Sequence, residues 1–246
     1  LGRRGRLNHE SHIYSIHRRW GNLGRPIEMN MDASLPWLSD SLRLLWVDSL
    51  GNPASTGRAT TAFDFDLTVD NQGNPHMAIV VGSGSATDTP LPGYSIYSGF
   101  SKYLLDITTT NGGASFDATV ISPVLTFRGD FGNGNPVSMD NHPQIARNEA
   151  GDLLFYSWVD SDTNQIGFGV ADNIAPQLFI AGMRPSDGYR TCNKNLTGGD
   201  LIWDGRALFP AMSPTVLTSS NNGFDCFGLP IVMAEMITND PLAPTQ

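Results

Sequence analysis

The sequence predicts an all-β protein built from repeated antiparallel strands. Its 246 residues include 26 Gly and 16 Pro, a density that favours turns and short strands over long helices. Twenty of the 24 acidic residues are Asp and four are Glu, and Asp favours turns whereas Glu favours helices. Leucines recur at helical spacing in residues 34–46, where we expect at most a short helix.

A repeat of about 70 to 78 residues organises the chain. Residues 65–81 (FDLTVDNQGNPHMAIVV) align without a gap with residues 143–159 (PQIARNEAGDLLFYSWV), at an offset of 78. Residues 213–223 match the start of the second segment at an offset of 71. The central glycines align: Gly73, Gly151 and Gly223. Each segment has the chemistry of a β-hairpin, with a polar glycine turn between two apolar strands.

Four strands in each repeat predict the architecture. In the first unit they are 64–70, 75–82, 102–109 and 116–122. In the second they are 142–147, 152–159, 165–171 and a segment near 177–182. Four antiparallel strands in series are typical of a β-propeller blade; a β-sandwich is the alternative. We therefore predict a propeller, or part of one, of about three to four four-stranded blades.

The blades are predicted to occupy residues 28–246, with units that start near 64, 142 and 212. The turn DSLGNP (48–53) is a near-twin of DNQGNP (70–75) and predicts one more hairpin towards the amino end.

The turn ITTTNGGASFD (107–117) carries a resemblance to a known family. Its residues Thr109, Asn111, Gly113, Ser115 and Phe116 resemble the Asp box of sialidase-like and other BNR-repeat propellers, with Asn in place of Asp and Phe in place of Trp. The resemblance implies a structural turn between the third and fourth strands of a blade, where the strand count also puts it. The Asn side chain can accept backbone hydrogen bonds, and the glycine can take a positive φ.

The resemblance leaves two functions open. One is a secreted or cell-surface binding or scaffold module, part of a larger exported protein or assembly; the other is a sialidase-like glycoside hydrolase acting on extracellular glycans. The hydrolase would need an arginine cluster, a Tyr nucleophile and acidic partners. The arginines within the repeats fall at unrelated positions: Arg128, Arg147, Arg184, Arg190 and Arg206. We therefore assign no catalytic residue and leave open whether the protein is an enzyme.

Charge separates the amino end from the rest. Residues 1–27 form a predicted basic arm or fragment, whereas the body is acidic and brings the net charge to −9. An acidic body disfavours nucleic acid, and no apolar stretch is long enough to span a membrane. The Asn/Asp/Gly-rich style resembles large exported proteins of gliding bacteria that use type IX secretion. We expect a protein partner or further blades of the same polypeptide to complete the fold, and glycans as candidate ligands.

Two further features are candidates for cross-links or metal binding. Asp160, Asp162 and Asn164 have the oxygen spacing of a calcium loop, with an Asp-rich turn as the alternative; no other cofactor is predicted. Cys192 and Cys226 would form one disulfide if the chain is extracytoplasmic, and otherwise are two free thiols. His76 and His142 are predicted to be packing residues at strand edges.

Overall fold

The computed structural model describes residues 11–13, 27–29, 58–87, 93–96, 102–125, 141–161 and 176–235. These residues form sixteen β-strands and no helix, which confirms the all-β prediction. The helix predicted within 34–46 and the hairpin predicted at 48–53 lie outside the described residues.

In chain order the strands are β1 (Ser11–Ile13), β2 (Ile27–Met29), β3 (Arg58–Val69), β4 (Pro75–Thr87), β5 (Gly93–Ile96), β6 (Lys102–Thr108), β7 (Asp117–Val124), β8 (Gln144–Arg147), β9 (Leu154–Ser161), β10 (Pro176–Arg184), β11 (Tyr189–Arg190), β12 (Lys194–Asn195), β13 (Ala207–Met212), β14 (Leu217–Asn221), β15 (Phe224–Gly228) and β16 (Ile231–Glu235).

The first repeat folds into a four-stranded antiparallel meander. Its strands pair in the order β3-β4-β6-β7, and β5 adds a short pairing to β4. These four strands match the four predicted from the sequence. The β3–β4 register shifts between Thr61 and Phe65, so this hairpin contains a bulge around Asp64.

The second repeat forms a similar sheet with one correction to the prediction. Its order is β11-β10-β9-β8, with β12 also paired to β10. The strand near 177–182, predicted to be the fourth, is β10 and pairs directly with β9, so it is the third. The fourth position is taken by β11 and β12. The prediction of 165–171 as the third strand falls outside the described residues. The spacing of apolar residues identifies a strand, but it does not show which neighbouring strand it pairs with.

The third repeat is a two-stranded ribbon in the part of the chain that is described. Strand β13 pairs with β16, and β14 pairs with β15. The backbone bond from Ser213 N to Pro230 O, 2.9 Å, continues the pairing between these two segments. Residues 207–235 are therefore one long antiparallel hairpin. No described strand pairs with the outer edge of β15 or β16.

The aligned glycines occupy the turns of the three hairpins. Gly73, Gly151 and Gly223 have φ values of 87°, 71° and 79°. Such positive values are strained for other residues, so the sequence needs glycine there. The alignment of the repeats thus corresponds to a shared positive φ at the turn glycine.

Two apolar clusters lie on the two faces of the first sheet. The larger one lies between the first and second sheets and includes Val80, Leu104, Tyr156 and Trp158. A second cluster, on the opposite face of the first sheet, includes Ile79, Leu105, Ile107 and Phe116. The first sheet is therefore apolar on both faces, because successive side chains of its strands point in opposite directions. No sheet among the described strands closes on itself.

The first strands of the three repeats lie side by side. The amide of Ile145 on β8 donates to the Asp66 carboxylate on β3, at 3.0 Å. Further along the same edge of β8, Arg147 N donates to Pro214 O at 3.2 Å and Val216 N donates to Arg147 O at 3.0 Å, in a parallel arrangement. Strand β8 therefore connects the first repeat to the third.

A short pair of strands lies near the amino end of the chain. Strand β1, inside the predicted basic arm, pairs antiparallel with β2, which spans the predicted boundary at residue 27.

Within the described residues, no helix is long and apolar enough to cross a membrane.

Candidate ligand-binding site at the junction of the repeats

Three side chains from β3, the segment before β8, and β13 meet next to the first strands of the repeats. Asp64 lies in the bulge of β3, His142 lies two residues before β8, and Phe209 lies in the bulge of β13. His142 Nδ1 is 3.2 Å from Asp64 Oδ2. The rings of His142 and Phe209 meet edge to face, with 5.7 Å between their centroids. We call these three residues the junction site.

Backbone strain is concentrated at the junction site. His142 and Phe209 have φ values of 42° and 44°, and Asn222 in a hairpin turn is the third non-glycine residue with positive φ in the described ranges. Asn tolerates this conformation, whereas His and Phe adopt it rarely. Each such residue costs on the order of 1–3 kcal/mol, and strain of this kind clusters at binding and catalytic sites. The bulge that contains Phe209 is a common device for redirecting a side chain.

The junction site is partly open and its polar atoms are not all satisfied. The side chains of His142 and Asp64 are 27% and 38% exposed, and Phe209 is 52% exposed. Asp64 Oδ2 is shielded from solvent and accepts no hydrogen bond, although His142 Nδ1 lies 3.2 Å away. It is therefore an acceptor that lacks a donor, which is uncommon in native proteins. The site offers a carboxylate, an imidazole nitrogen and an aromatic surface to a ligand.

Sequence reasoning misses the junction site, although the repeat contains a signal. It predicts His142 as a packing residue and does not select Asp64 or Phe209. Residues 64 and 142 are separated by 78, the offset of the first two repeats, so they occupy equivalent positions. Equivalent residues of parallel neighbouring strands lie close together, and the repeat alone could have paired Asp64 with His142. Phe209 reaches the junction site because of a bulge in β13, and no pattern in the sequence predicts this bulge.

A second histidine is buried in a charged network. His76 on β4 lies 2.7 Å from Asp106 through Nδ1 and 3.5 Å from Asp70 through Nε2. Burial alone would lower the pKa of His76, but the hydrogen bond and charge of Asp106, with a smaller effect of Asp70, raise it overall. Burial raises the pKa of Asp106 and of Tyr156, which lies beside it on β9. All four side chains are buried, and the network joins the two sheets.

The Asp-box-like turn has the hydrogen bonds expected of it. It connects β6 and β7, the third and fourth strands of the first sheet. Asn111 Oδ1 accepts from Ser115 N at 2.9 Å and from Thr109 Oγ1 at 3.0 Å, and Asn111 Nδ2 donates to Ser115 Oγ at 2.7 Å. Gly113, with φ of 90°, donates to Thr109 Oγ1, and Phe116 is buried. The geometry is that of a structural turn.

The calcium candidate is described in part. Asp160 is buried, and its carboxylate accepts from Leu125 N at 2.7 Å and Ser161 N at 2.9 Å. Asp162 and Asn164 lie outside the described residues. Within the described ranges no group of three or more His, Cys, Asp or Glu side chains is arranged to hold a metal ion. The carboxylate of Asp160 thus has a structural role between β7 and β9.

The two cysteines are free in the structure, and both are exposed. Cys192 follows β11 in the second sheet, whereas Cys226 lies in β15 of the ribbon. The structure therefore has the free-thiol alternative, and the disulfide expected for an extracytoplasmic chain stays a prediction. The two cysteines lie on separate sheets, a separation that their spacing in the chain does not reveal.

Three of the described arginines lie at separate places in the second sheet. Arg147 on β8 donates to the carbonyl of Val69 on β3 at 2.7 Å. Arg184 on β10 forms an exposed pair with Asp187 at 2.9 Å. Arg190 is on β11, at the edge of the sheet opposite β8. Strands two positions apart are separated by about 10 Å, so these three arginines do not form one anion-binding cluster.

Comparisons with known proteins give no family. No protein-family model, no curated protein and no solved structure matches this chain. The resemblance to Asp-box propellers thus depends on residues 109–116 and stays a prediction.

Proposed function

We propose that the chain is part of a β-propeller that acts as a secreted or cell-surface binding module, with its ligand bound at the junction site. The architecture supports this proposal in two ways. The first two repeats are four-stranded meanders packed face to face, as blades are, and the third begins with the same hairpin. Their first strands run side by side, as the innermost strands of successive blades do. The ribbon of residues 207–235 would then open a third blade, completed by further polypeptide or a partner chain.

The observation that carries the proposed function is the strain at His142 and Phe209 beside an unsatisfied carboxylate. A packing role would not require positive φ at two large residues, because glycine would fit the same backbone at lower cost. Binding sites combine an aromatic surface with a few polar groups. A sugar matches the junction site, because its apolar face can lie against Phe209 while its hydroxyl groups donate to Asp64 and bond to His142. Glycans are therefore the ligand class we propose.

The arrangement of arginines favours a binding module over a hydrolase. A sialidase-like site needs several arginines around one carboxylate, and Arg147, Arg184 and Arg190 are dispersed in the second sheet. Arg147 is also engaged with the backbone of the neighbouring strand.

The test compares ligand binding with stability. Binding would be measured on an immobilised panel of neutral and sialylated oligosaccharides, and stability by urea unfolding. We expect Phe209→Gly to unfold at an equal or higher urea concentration, since it relieves a positive φ worth about 1 kcal/mol, but to bind at least about tenfold more weakly. Asp64→Asn should also weaken binding. A fluorogenic sialoside should not be cleaved.

Three outcomes would contradict this proposal. They are undiminished glycan binding by both variants, a lack of binding to every glycan on the panel, and a clear loss of stability in Phe209→Gly. Turnover of the sialoside would instead favour the hydrolase.

A further inference from the structure

Among the described strands, the third repeat has one unpaired strand edge whose counterparts in the first two repeats are paired. In the first sheet the second strand, β4, pairs on its outer side with β6; in the second sheet β9 pairs with β10. The corresponding strand of the third repeat, β15, has β14 on one side and no described strand on the other. A two-stranded hairpin is only marginally stable in water, and an unpaired edge is a template for another strand. This edge is therefore a docking surface.

The usable part of the edge is short and lacks the usual protection. Strand β15 ends at Gly228, so a new strand could form a ladder with five residues, Phe224–Gly228. The five residues of β15, FDCFG, contain one charge and no lysine, which is the residue most often placed on edges to prevent pairing. Their centre is Cys226. An antiparallel strand of five residues that overlaps β15 fully is the best fit.

A second copy of β15 can be this antiparallel five-residue strand, and its side chains are complementary. When two copies pair antiparallel in full overlap, Cys226 lies opposite itself and Phe224 lies opposite Gly228 of the second copy. Phe224 and Leu217 are exposed by 75% and 66%. Leu217 is the cross-strand partner of Gly228 within one copy, so Phe224 of the other copy would cover Gly228 beside Leu217. An aromatic ring across from a glycine is a stabilising pair in sheets.

Self-pairing also completes the strand number. Two ribbons joined at β15 give an antiparallel sheet of four strands, β14-β15-β15-β14, as wide as the main meanders of the first two repeats. Asp225 would face Phe227 of the second copy, so no like charges oppose one another. We propose that the chain forms a twofold symmetric dimer by antiparallel pairing of the β15 edges around Cys226. This contact is isologous, as in most homodimers.

The first experiment measures the oligomeric state. Sedimentation velocity of the full chain, in reducing buffer from micromolar to hundreds of micromolar, should show a concentration-dependent monomer–dimer equilibrium. Cys226→Lys opposes two positive charges at the axis and should weaken the dimer at least about tenfold. Cys192→Lys is the matched control, because it adds the same charge at the other exposed cysteine, and it should leave the dimer unchanged. Circular dichroism checks that both variants retain their strands.

The second experiment locates the axis. Opposed residues of antiparallel strands have Cα atoms about 4.5–5.5 Å apart, within the range of a disulfide. Copper-phenanthroline should oxidise two Cys226 thiols to one disulfide, with both protons and both electrons leaving the sulfurs. Cys192→Ser should still give the covalent dimer and Cys226→Ser should not, although the latter should remain a dimer in sedimentation.

Three results would overturn the proposal. They are a wild-type chain that stays monomeric over the whole range, a dimer that Cys226→Lys does not weaken, and cross-linking that depends on Cys192 alone. The junction site takes no part in these assays, so their outcome is separate from that of the proposed function.

Discussion

Replacing Gly151 by Ala tests how the first two repeats contact each other. Gly151 has φ of 71°, and an added Cβ would lie 3.0 Å from the backbone nitrogen of Asn71, which donates to Gly151 O at 2.9 Å. The left-handed conformation costs Ala about 1–2 kcal/mol. Displacing Asn71 would remove a hydrogen bond worth about 1 kcal/mol. We expect Gly151→Ala to lower the free energy of unfolding by about 2–3 kcal/mol in urea titrations.

Gly73→Ala is the matched control for Gly151→Ala. Gly73 occupies the equivalent turn with φ of 87°, and a Cβ added there would have no atom within 4 Å. Gly73→Ala should therefore lower the free energy of unfolding only by the cost of the left-handed conformation, about 1–2 kcal/mol. Gly223, with φ of 79° and the same open surroundings, provides a second control. Equal losses at Gly151 and Gly73 would refute the reasoning, because they would show that the contact between the turns contributes nothing.

Two more predictions concern the buried network and the Asp-box-like turn. The pKa of His76 is raised in the folded protein, so protonated His76 stabilises the fold. This stabilisation is complete below about pH 6.5 and is lost as the pH rises through the raised pKa. The free energy of unfolding should therefore fall from pH 6 to pH 8. His76→Gln should flatten this slope, and an unchanged slope would assign it to another group. Asn111→Ala should lower stability by about 1–2 kcal/mol without affecting ligand binding, because it removes bonds within the turn; binding lost at an unchanged unfolding midpoint would contradict this.

Local patterns in the sequence predict local structure well. The glycines at 73, 151 and 223 identify three hairpin turns because positive φ is a property of single residues. The motif at 109–116 predicts a hydrogen-bonded turn for the same reason. Pairing between strands that are distant in the chain is harder to predict. The position of β10 next to β9 depends on which edge is free, and hydrophobic spacing carries no information about edges.

The junction site shows a different limit of sequence reasoning. Asp64 and His142 belong to equivalent repeat positions, so their proximity follows from the parallel placement of β3 and β8. Phe209 joins them only because the β13–β16 register shifts after Leu208. A bulge adds a residue without a distinctive sequence, so the spacing of residues along the chain cannot reveal the third member of the site.

The first two hairpin turns are held by the same pair of side chains in opposite order. In the first, Asp70 accepts from the amide of Asn74 at 2.8 Å and from its side chain at 3.0 Å. In the second, the equivalent residues are Asn148 and Asp152: Asn148 accepts from the amide of Asp152 at 3.1 Å and donates to its carboxylate at 2.6 Å. Either order gives one carboxylate and one amide that bond to each other. The turn therefore requires one Asp and one Asn, but either residue can occupy either position. Identity between repeats therefore understates their similarity.

The third turn is built differently, and this difference explains why its ribbon is exposed. Asn222 and Gly223 alone connect β14 and β15, with φ values of 53° and 79°, as in the tight turns that match the twist of a hairpin. The first two turns are longer, and the bond from Asn71 to Gly151 joins one to the other. A two-residue turn has no side-chain pair to brace it and makes no such contact in the described residues, so β14 and the tip of β15 are exposed to solvent. Among the described strands, none pairs with the outer side of β15, which is the edge where a second copy would add its strand.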